Sequence, residues 1–313
     1  MLGRIAPRWR TLREWAAVYE QIIAARPLVM RTLSGRRNYV KYIVDALGDR
    51  SMRDIRPHHI ALLVRDIYSR YPQTARRVLM EMRDMFDESI NYGWLHRNPA
   101  VEIKPLRSPV KRQRLSFELW QKIHERALHH RPAWPGHMLV LALVTGQRRA
   151  DLQKMRFEDV WDGYLHIEQQ KTGERIALPL ALRLDAIGVT LGQAIDACRD
   201  YATQGPTLLR KSRGMPLGLE TLSVRFCELR NEVLSLPDDP KQAPSLHECR
   251  SLSERLYRVQ GIDTRTLLGH KRQSMTDMYN DDRGLGRGQW RVLQLPDQPC
   301  PQPNQPTTTL STP

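Results

Sequence analysis

Residues 98–116, NPAVEIKPLRSPVKRQRLS, carry no apolar periodicity, and this gap constrains what the 313-residue chain can build. Pro99, Pro105 and Pro109 disfavour a continuous helix by removing N–H donors, while Lys104, Arg107, Lys111, Arg112 and Arg114 crowd positive charge into the same stretch. The expected organisation is a first domain over residues 1–97, a basic linker over 98–115 and a second domain over 116–295. With 41% hydrophobic residues, each domain has material for its own packed core.

In the first domain, Leu12, Trp15, Ala16, Tyr19, Ile22 and Ile23 recur at helical spacing behind Thr11, a candidate N-cap. Thr32 is a candidate cap for a second helix reaching about Leu47, whose outer face would carry Arg36, Arg37 and Lys41. Pro57 suits the first position of a third helix over Ile60 to Ile67. A fourth, from about Gln73 to Tyr92, would bury Val78, Leu79, Met82, Met85, Phe86 and Ile90. Four helices in this length predict an all-α domain.

The second domain opens with Ser116 as a helix cap, followed by the apolar segment MLVLALVTGQ ending near Gly146 and a helix around Ala150 to Met155. The period then changes. Alternating residues 164–168 and 175–179 flank QQKTGE, which predicts a β-hairpin with Lys171 at its tip. Helices are expected from Leu184 to Tyr279, with one more short strand over 290–295. The fold class is therefore mainly α with a small antiparallel β-sheet. The Pro-, Gln- and Thr-rich residues 296–313 have no core-forming pattern and are expected to be disordered.

Charge points to the partner. The formal net charge is +15, and residues 1–115 hold 23 basic against 11 acidic side chains, whereas residues 116–313 hold 26 against 23. Such a localised excess favours contact with phosphates, and double-stranded DNA is the expected partner. Cys198, Cys227, Cys249 and Cys300 show neither C-x-x-C pairs nor regular spacing, so no zinc site or disulfide framework is expected. No apolar run approaches membrane-spanning length, and no signal-like stretch follows Arg4, Arg8, Arg10 and Arg13. A cytoplasmic protein without membrane attachment is expected.

A dispersed polar set gives the chemistry: Arg148, Lys171, His247, Arg250, His270 and Tyr279. Attack on a phosphodiester gathers negative charge on the non-bridging oxygens, which planar guanidiniums match by bidentate hydrogen bonds. A tyrosine oxygen can be the nucleophile, and a lysine on a hairpin tip can protonate the leaving 5′ oxygen. Neither metal nor ATP is expected, because a phosphotyrosine conserves the energy of the broken bond. Each residue alone is ordinary, and only the ordered set is informative.

Four segments carry that order: TGQRRADL at 145–152, QQKTGERIALPL at 169–180, HECRSLSERLY at 247–257 and LLGHKRQSMTDMYNDDRG at 267–284. Together they resemble the tyrosine recombinase (phage integrase) family, strongly after Arg114 and more weakly before it. The resemblance implies an all-α core-binding domain followed by an α+β catalytic domain. It implies a site-specific DNA recombinase acting through a 3′-phosphotyrosine, as a homotetramer on two synapsed sites and with possible help from DNA-bending proteins. Arg148 and Arg250 would clamp the scissile phosphate, Lys171 would be the general acid, and Tyr279 the nucleophile. His247 and His270 would assist, and Asp151 would brace an arginine from behind. Arg36, Arg37, Lys41, Lys104, Arg107, Lys111, Arg112 and Arg114 form the expected DNA-contact list. Some members carry a further N-terminal domain for distant arm-type sites; this chain begins almost directly with the helical region, so arm-site binding is not expected. Two alternatives are a type IB topoisomerase-like relaxing enzyme and a DNA-binding regulator with an idle site.

Overall fold

The computed structural model describes residues 10–106, 113–129, 131–234 and 242–279, and divides at Val110/Lys111 into two compact units. The expected 290–295 strand and the 296–313 tail lie outside the described residues.

In the first unit, α1 (Leu12–Ala25) begins in a reciprocal cap. Glu14 N–H donates to Thr11 Oγ1 at 3.2 Å, and Thr11 N–H donates to Glu14 Oε2 at 2.8 Å, satisfying two donors that would otherwise be orphaned at a helix start. Its buried stripe is Leu12, Trp15, Ala16, Tyr19 and Ile23, with Trp15 Nε1 donating to Met85 O at 3.0 Å. Helix α2 (Met30–Leu47) starts three residues earlier than expected: Val29 occupies the cap position and Thr32 lies inside the first turn. Proline at the first position opens both α3 (Pro57–Arg70) and α4 (Pro72–Asn91), where a missing N–H costs nothing. Ala75, Val78, Leu79, Met82, Met85 and Phe86 of α4 complete the core.

Part of the expected linker belongs to this unit. Ala100 is fully buried, Ile103 and Leu106 pack on the same core, and Arg83 donates to Ala100 O at 3.2 Å and Ile103 O at 2.6 Å. Apolar residues spaced too irregularly for a helix can still be held by one guanidinium reading their carbonyls.

In the second unit, Ser116 caps α5 (Phe117–Leu128), accepting from Leu119 N–H at 3.1 Å. Helix α6 (Trp134–Thr145) is apolar on nearly every side and packs against helices on several faces, as a central core helix must. Helix α7 (Arg149–Lys154) leads to an antiparallel sheet of β1 (Val160–Trp161), β2 (Tyr164–Glu168) and β3 (Arg175–Pro179). In the β2–β3 hairpin Ile167 faces Ile176 and Glu168 faces Arg175. Asp162 and Gly163, both at positive φ, make the tight β1–β2 turn.

Helices dominate from Leu184 as expected, but with an interruption the sequence did not signal. Strands β4 (Arg183–Leu184) and β5 (Val189–Thr190) precede α8 (Leu191–Asp196), and residues 197–218 are irregular. Arg210, 1% exposed, organises that segment by donating to the carbonyls of Cys198, Arg199, Ala202, Thr203 and Leu208. A Cβ on Gly205 would fall 2.3 Å from Gly214 O, so side-chain-free backbone is required where the segment crosses itself. Helices α9 (Leu219–Val233), α10 (Glu248–Val259), α11 (Thr264–Leu268) and α12 (Gln273–Asp277) complete the unit.

Candidate active site

Gly146 ends α6 in the left-handed conformation (φ +63°), and a Cβ there would lie 2.9 Å from Ser253 Oγ and 3.0 Å from Leu268 Cδ2. The close approach brings three chain segments together. Gly146 O accepts from Arg250 Nη1 at 2.8 Å, while Arg148, two residues on, is the cap residue of α7. Arg250 lies in the first turn of α10 and is 1% exposed; its Nη2 donates to Leu268 O at 2.5 Å and to His270 Nε2 at 3.0 Å. Burial, then the neighbouring Arg148, push the Arg250 pKa down to about 10, opposed by Tyr279 and Asp151. It remains charged at neutral pH.

Since Nε2 of His270 accepts a hydrogen bond, its proton sits on Nδ1, which donates to Thr276 Oγ1 at 2.9 Å. Burial and then Arg250 and Arg148 lower its pKa to about 4, so the ring is neutral at physiological pH. The Tyr279 ring stacks on His270 with centroids 5.5 Å apart, and Arg250 Cζ lies 5.7 Å from the tyrosine ring centre. Its Oη is 3.5 Å from His247 Nε2, at the outer limit of a hydrogen bond. The backbone here is pinned at two successive carbonyls: Tyr279 O accepts from Ser251 Oγ at 2.9 Å, and Met278 O accepts from Arg114 Nη2 at 2.6 Å.

Lys171 is exposed on the turn between β2 and β3 and makes no hydrogen bond or ion pair among the described residues. Its neighbours are anchored: Thr172 Oγ1 donates to Gln169 Oε1 at 2.9 Å, and Gln170 N–H donates to Asp151 Oδ1 at 2.8 Å. The expected role of Asp151 therefore needs correcting. It is 3% exposed and holds the hairpin backbone rather than hydrogen-bonding an arginine, although its charge raises the Arg250 pKa. Among the described residues no group of three His, Cys, Asp or Glu side chains is arranged for a metal ion.

Two of the expected DNA contacts are also corrected. Arg36 is turned inward, its side chain 17% exposed, and bonds Glu81 at 2.9–3.1 Å as well as Asp84 and the Tyr19 hydroxyl. Arg114 is 5% exposed, pairs with Glu248 at 3.0 Å and holds Met278 O. The Arg114 guanidinium is withdrawn from solvent, and that of Arg36, at the floor of a groove it shares with Glu81 and Asp84, is already engaged by carboxylates. Arg37, Lys41 and Lys104 are exposed, and Arg107, Lys111 and Arg112 lie outside the described residues. Sequence reasoning missed exposed Arg31 and Arg77, which flank a groove of about 410 Å³ also lined by Thr32, Gly35 and Tyr39. It also missed two buried amides, Gln147 and Gln169, that bridge the segments carrying Arg148, Lys171 and His270.

A helical unit followed by a helix-rich unit in which two arginines, two histidines and a tyrosine converge defines a tyrosine-type DNA strand transferase. The chain belongs to the phage integrase family: residues 114–284 match the Phage integrase family and residues 12–105 the Phage integrase central domain. Its reaction is site-specific DNA recombination. It is 37% identical to the integrase of Escherichia phage lambda over 289 residues, covering 91% of this chain and 79% of the relative. Identity is also 37% to the prophage integrase IntE of Escherichia coli K12 over 295 residues, covering 91% and 77%. Among solved structures, a lambda integrase dimer bound to a COC′ core site superposes with a TM-score of 0.82 at 35% identity, covering 91% of this chain and 80% of that one. A lambda integrase tetramer bound to a Holliday junction gives 0.83 at 34% identity, covering 92% and 81%. The relaxing-enzyme and idle-regulator alternatives are not favoured by these likenesses.

Proposed function

We propose that this integrase cuts and rejoins one DNA strand at a time through a covalent bond between Tyr279 Oη and the 3′ phosphate. The observation carrying the reading is the convergence of Tyr279 with Arg250, His270 and His247, with Arg148 close enough to shift the pKa of Arg250 and His270.

In the forward step Tyr279 Oη attacks phosphorus, the bond to the 5′ oxygen breaks, and Lys171 supplies that oxygen with a proton. Arg148 and Arg250 hold the non-bridging oxygens as charge builds in the pentacoordinate transition state. His247, the base nearest Tyr279 Oη, takes up the phenolic proton. His270 stays neutral and keeps Arg250 aimed. The reverse step, with the 5′ hydroxyl of another strand as nucleophile, restores the phosphodiester without ATP. Recombination between two duplexes needs four such strand events, which fits a tetramer on synapsed DNA in the bacterial cytoplasm, as in the junction-bound lambda assembly.

Incubation with a nicked suicide duplex, whose cleaved 5′ end diffuses away, is expected to trap wild-type protein as a covalent adduct. Tyr279→Phe should form none while binding the duplex normally. An adduct that survives this substitution moves the nucleophile elsewhere.

A further inference from the structure

Gln169 is fully buried where the hairpin leaves β2, and each of its four hydrogen-bonding positions is filled. Its Oε1 accepts from Arg148 Nη1 at 2.8 Å and Thr172 Oγ1 at 2.9 Å; its Nε2 donates to Gln147 Oε1 at 2.8 Å and Leu268 O at 2.9 Å. Gln147, 3% exposed, continues the chain by donating to Thr145 O at 2.9 Å and Leu267 O at 2.8 Å. Turning the Gln169 amide over would set N–H groups against Arg148 and oxygen against Leu268 O, so its orientation is fixed. Gly269 makes room for it: a Cβ there would lie 2.8 Å from Gln169 Nε2.

The kind of acceptor matters. Arg250 is held by two backbone carbonyls and a neutral imidazole, and Arg148 by an amide oxygen; among the described residues neither forms an ion pair with a carboxylate. Arg114 and Arg258, which serve structure, pair with Glu248 and Glu254. Arg210 also has neutral acceptors, but it spends its N–H groups on five carbonyls. Arg148 makes one side-chain bond among the described residues, to Gln169, which leaves the rest of its donor fork for a ligand.

We infer that Gln169 is a positioning residue for Arg148: a neutral amide that aims the guanidinium while leaving its full charge for the scissile phosphate. Through the same four bonds it locks the hairpin bearing Lys171 to the segment bearing His270. The inference rests on the strand-transfer reading above.

The test compares Gln169→Met, which keeps length but no hydrogen bonds, with Gln169→Glu, which keeps shape and an acceptor for Arg148 but adds a charge and gives up the two bonds donated to Gln147 Oε1 and Leu268 O. Single-turnover adduct formation is measured at saturating suicide duplex, with DNA affinity and thermal melting measured alongside. Both variants should lose at least tenfold in saturated cleavage rate while affinity changes less than threefold. On a duplex with an uncharged methylphosphonate at the scissile position, the Gln169→Glu defect should shrink at least tenfold, because the phosphate no longer needs the cancelled charge. In an Arg148→Lys background, Gln169→Met should cost less than threefold.

Wild-type rates for Gln169→Glu, or a Gln169→Met loss undiminished in the Lys background, would overturn the inference. So would an undiminished Gln169→Glu defect on methylphosphonate. If Gln169→Met fails to fold, the isosteric Gln169→Glu carries the test alone. Absence of an adduct with wild-type protein counts instead against the strand-transfer reading.

Discussion

Arg250 and His270 share a hydrogen bond of 3.0 Å, in which the guanidinium donates and the imidazole must stay unprotonated to accept. A protonated ring would place two cations in contact in a buried site that already holds Arg148.

The folded protein therefore keeps His270 neutral down to about pH 4, whereas the unfolded chain takes up that proton near the ordinary value of 6.5. Between those values the unfolded state binds more protons, so stability rises with pH and falls on acidification from 6.5 towards 4. Melting temperatures of DNA-free protein should show that slope, and His270→Gln should flatten it. His124 and His137, both lowered chiefly by burial, leave a residual slope. An unchanged slope in the variant would show that His270 titrates normally.

Lys171 is assigned a proton rather than a structural contact, so its loss should depend on the leaving group. Lys171→Ala is expected to slow cleavage by about 10²-fold or more, the usual scale for a lost general acid. When sulfur replaces the leaving 5′ oxygen, the variant should approach wild-type speed, because a thiolate departs without protonation. Equal defects on both substrates would assign the lysine to binding.

Asp151 fastens the hairpin by accepting from Gln170 N–H, a task that an amide oxygen can also perform. Asp151→Asn is expected to cleave within about threefold of wild type, and Asp151→Ala to lose about tenfold or more, roughly one hydrogen bond's worth of positioning. Kinetics at saturating DNA separate the cases; equal losses would mean that the carboxylate charge matters, not the tether.

Arg36 and Arg37 are adjacent in sequence and opposite in role. Removing the Arg36 guanidinium leaves the buried Glu81 carboxylate with the Tyr19 hydroxyl but no cation, and Arg36→Ala should cost about 3 kcal/mol in urea unfolding, as for other buried pairs cut on one side. Exposed Arg37→Ala should change stability by less than about 0.5 kcal/mol and lower the slope of log affinity against log salt by about one. A reversal of these two phenotypes would restore Arg36 to the DNA surface.

That pair also marks how far the chain could be read before its structure was known. Local rules found the Thr11 cap, Pro57 and the hairpin around Lys171, because each signal lies within a few neighbouring residues. Arg36 fell on the polar side of a helical wheel, and nothing nearby announces Glu81 and Asp84, 45 and 48 residues away, waiting to receive it. Arg114 was hidden in a run of basic residues for the same reason, its partner Glu248 lying 134 residues on. The proposed catalytic set could be picked out as ordered motifs, since its residue types declare their chemistry. Gln147 and Gln169 declare none, and their meaning comes only from the bonds they close in three dimensions.

Arg114 carries one more consequence. By holding Met278 O, it ties the threshold of the second unit to the residue before Tyr279, 164 positions later. A fragment that starts at the Ser116 cap would retain all six residues of the proposed catalytic set, yet lose the bond that holds the backbone next to Tyr279. One guanidinium, two residues upstream of that cap, thus belongs to the second unit's packing around Tyr279.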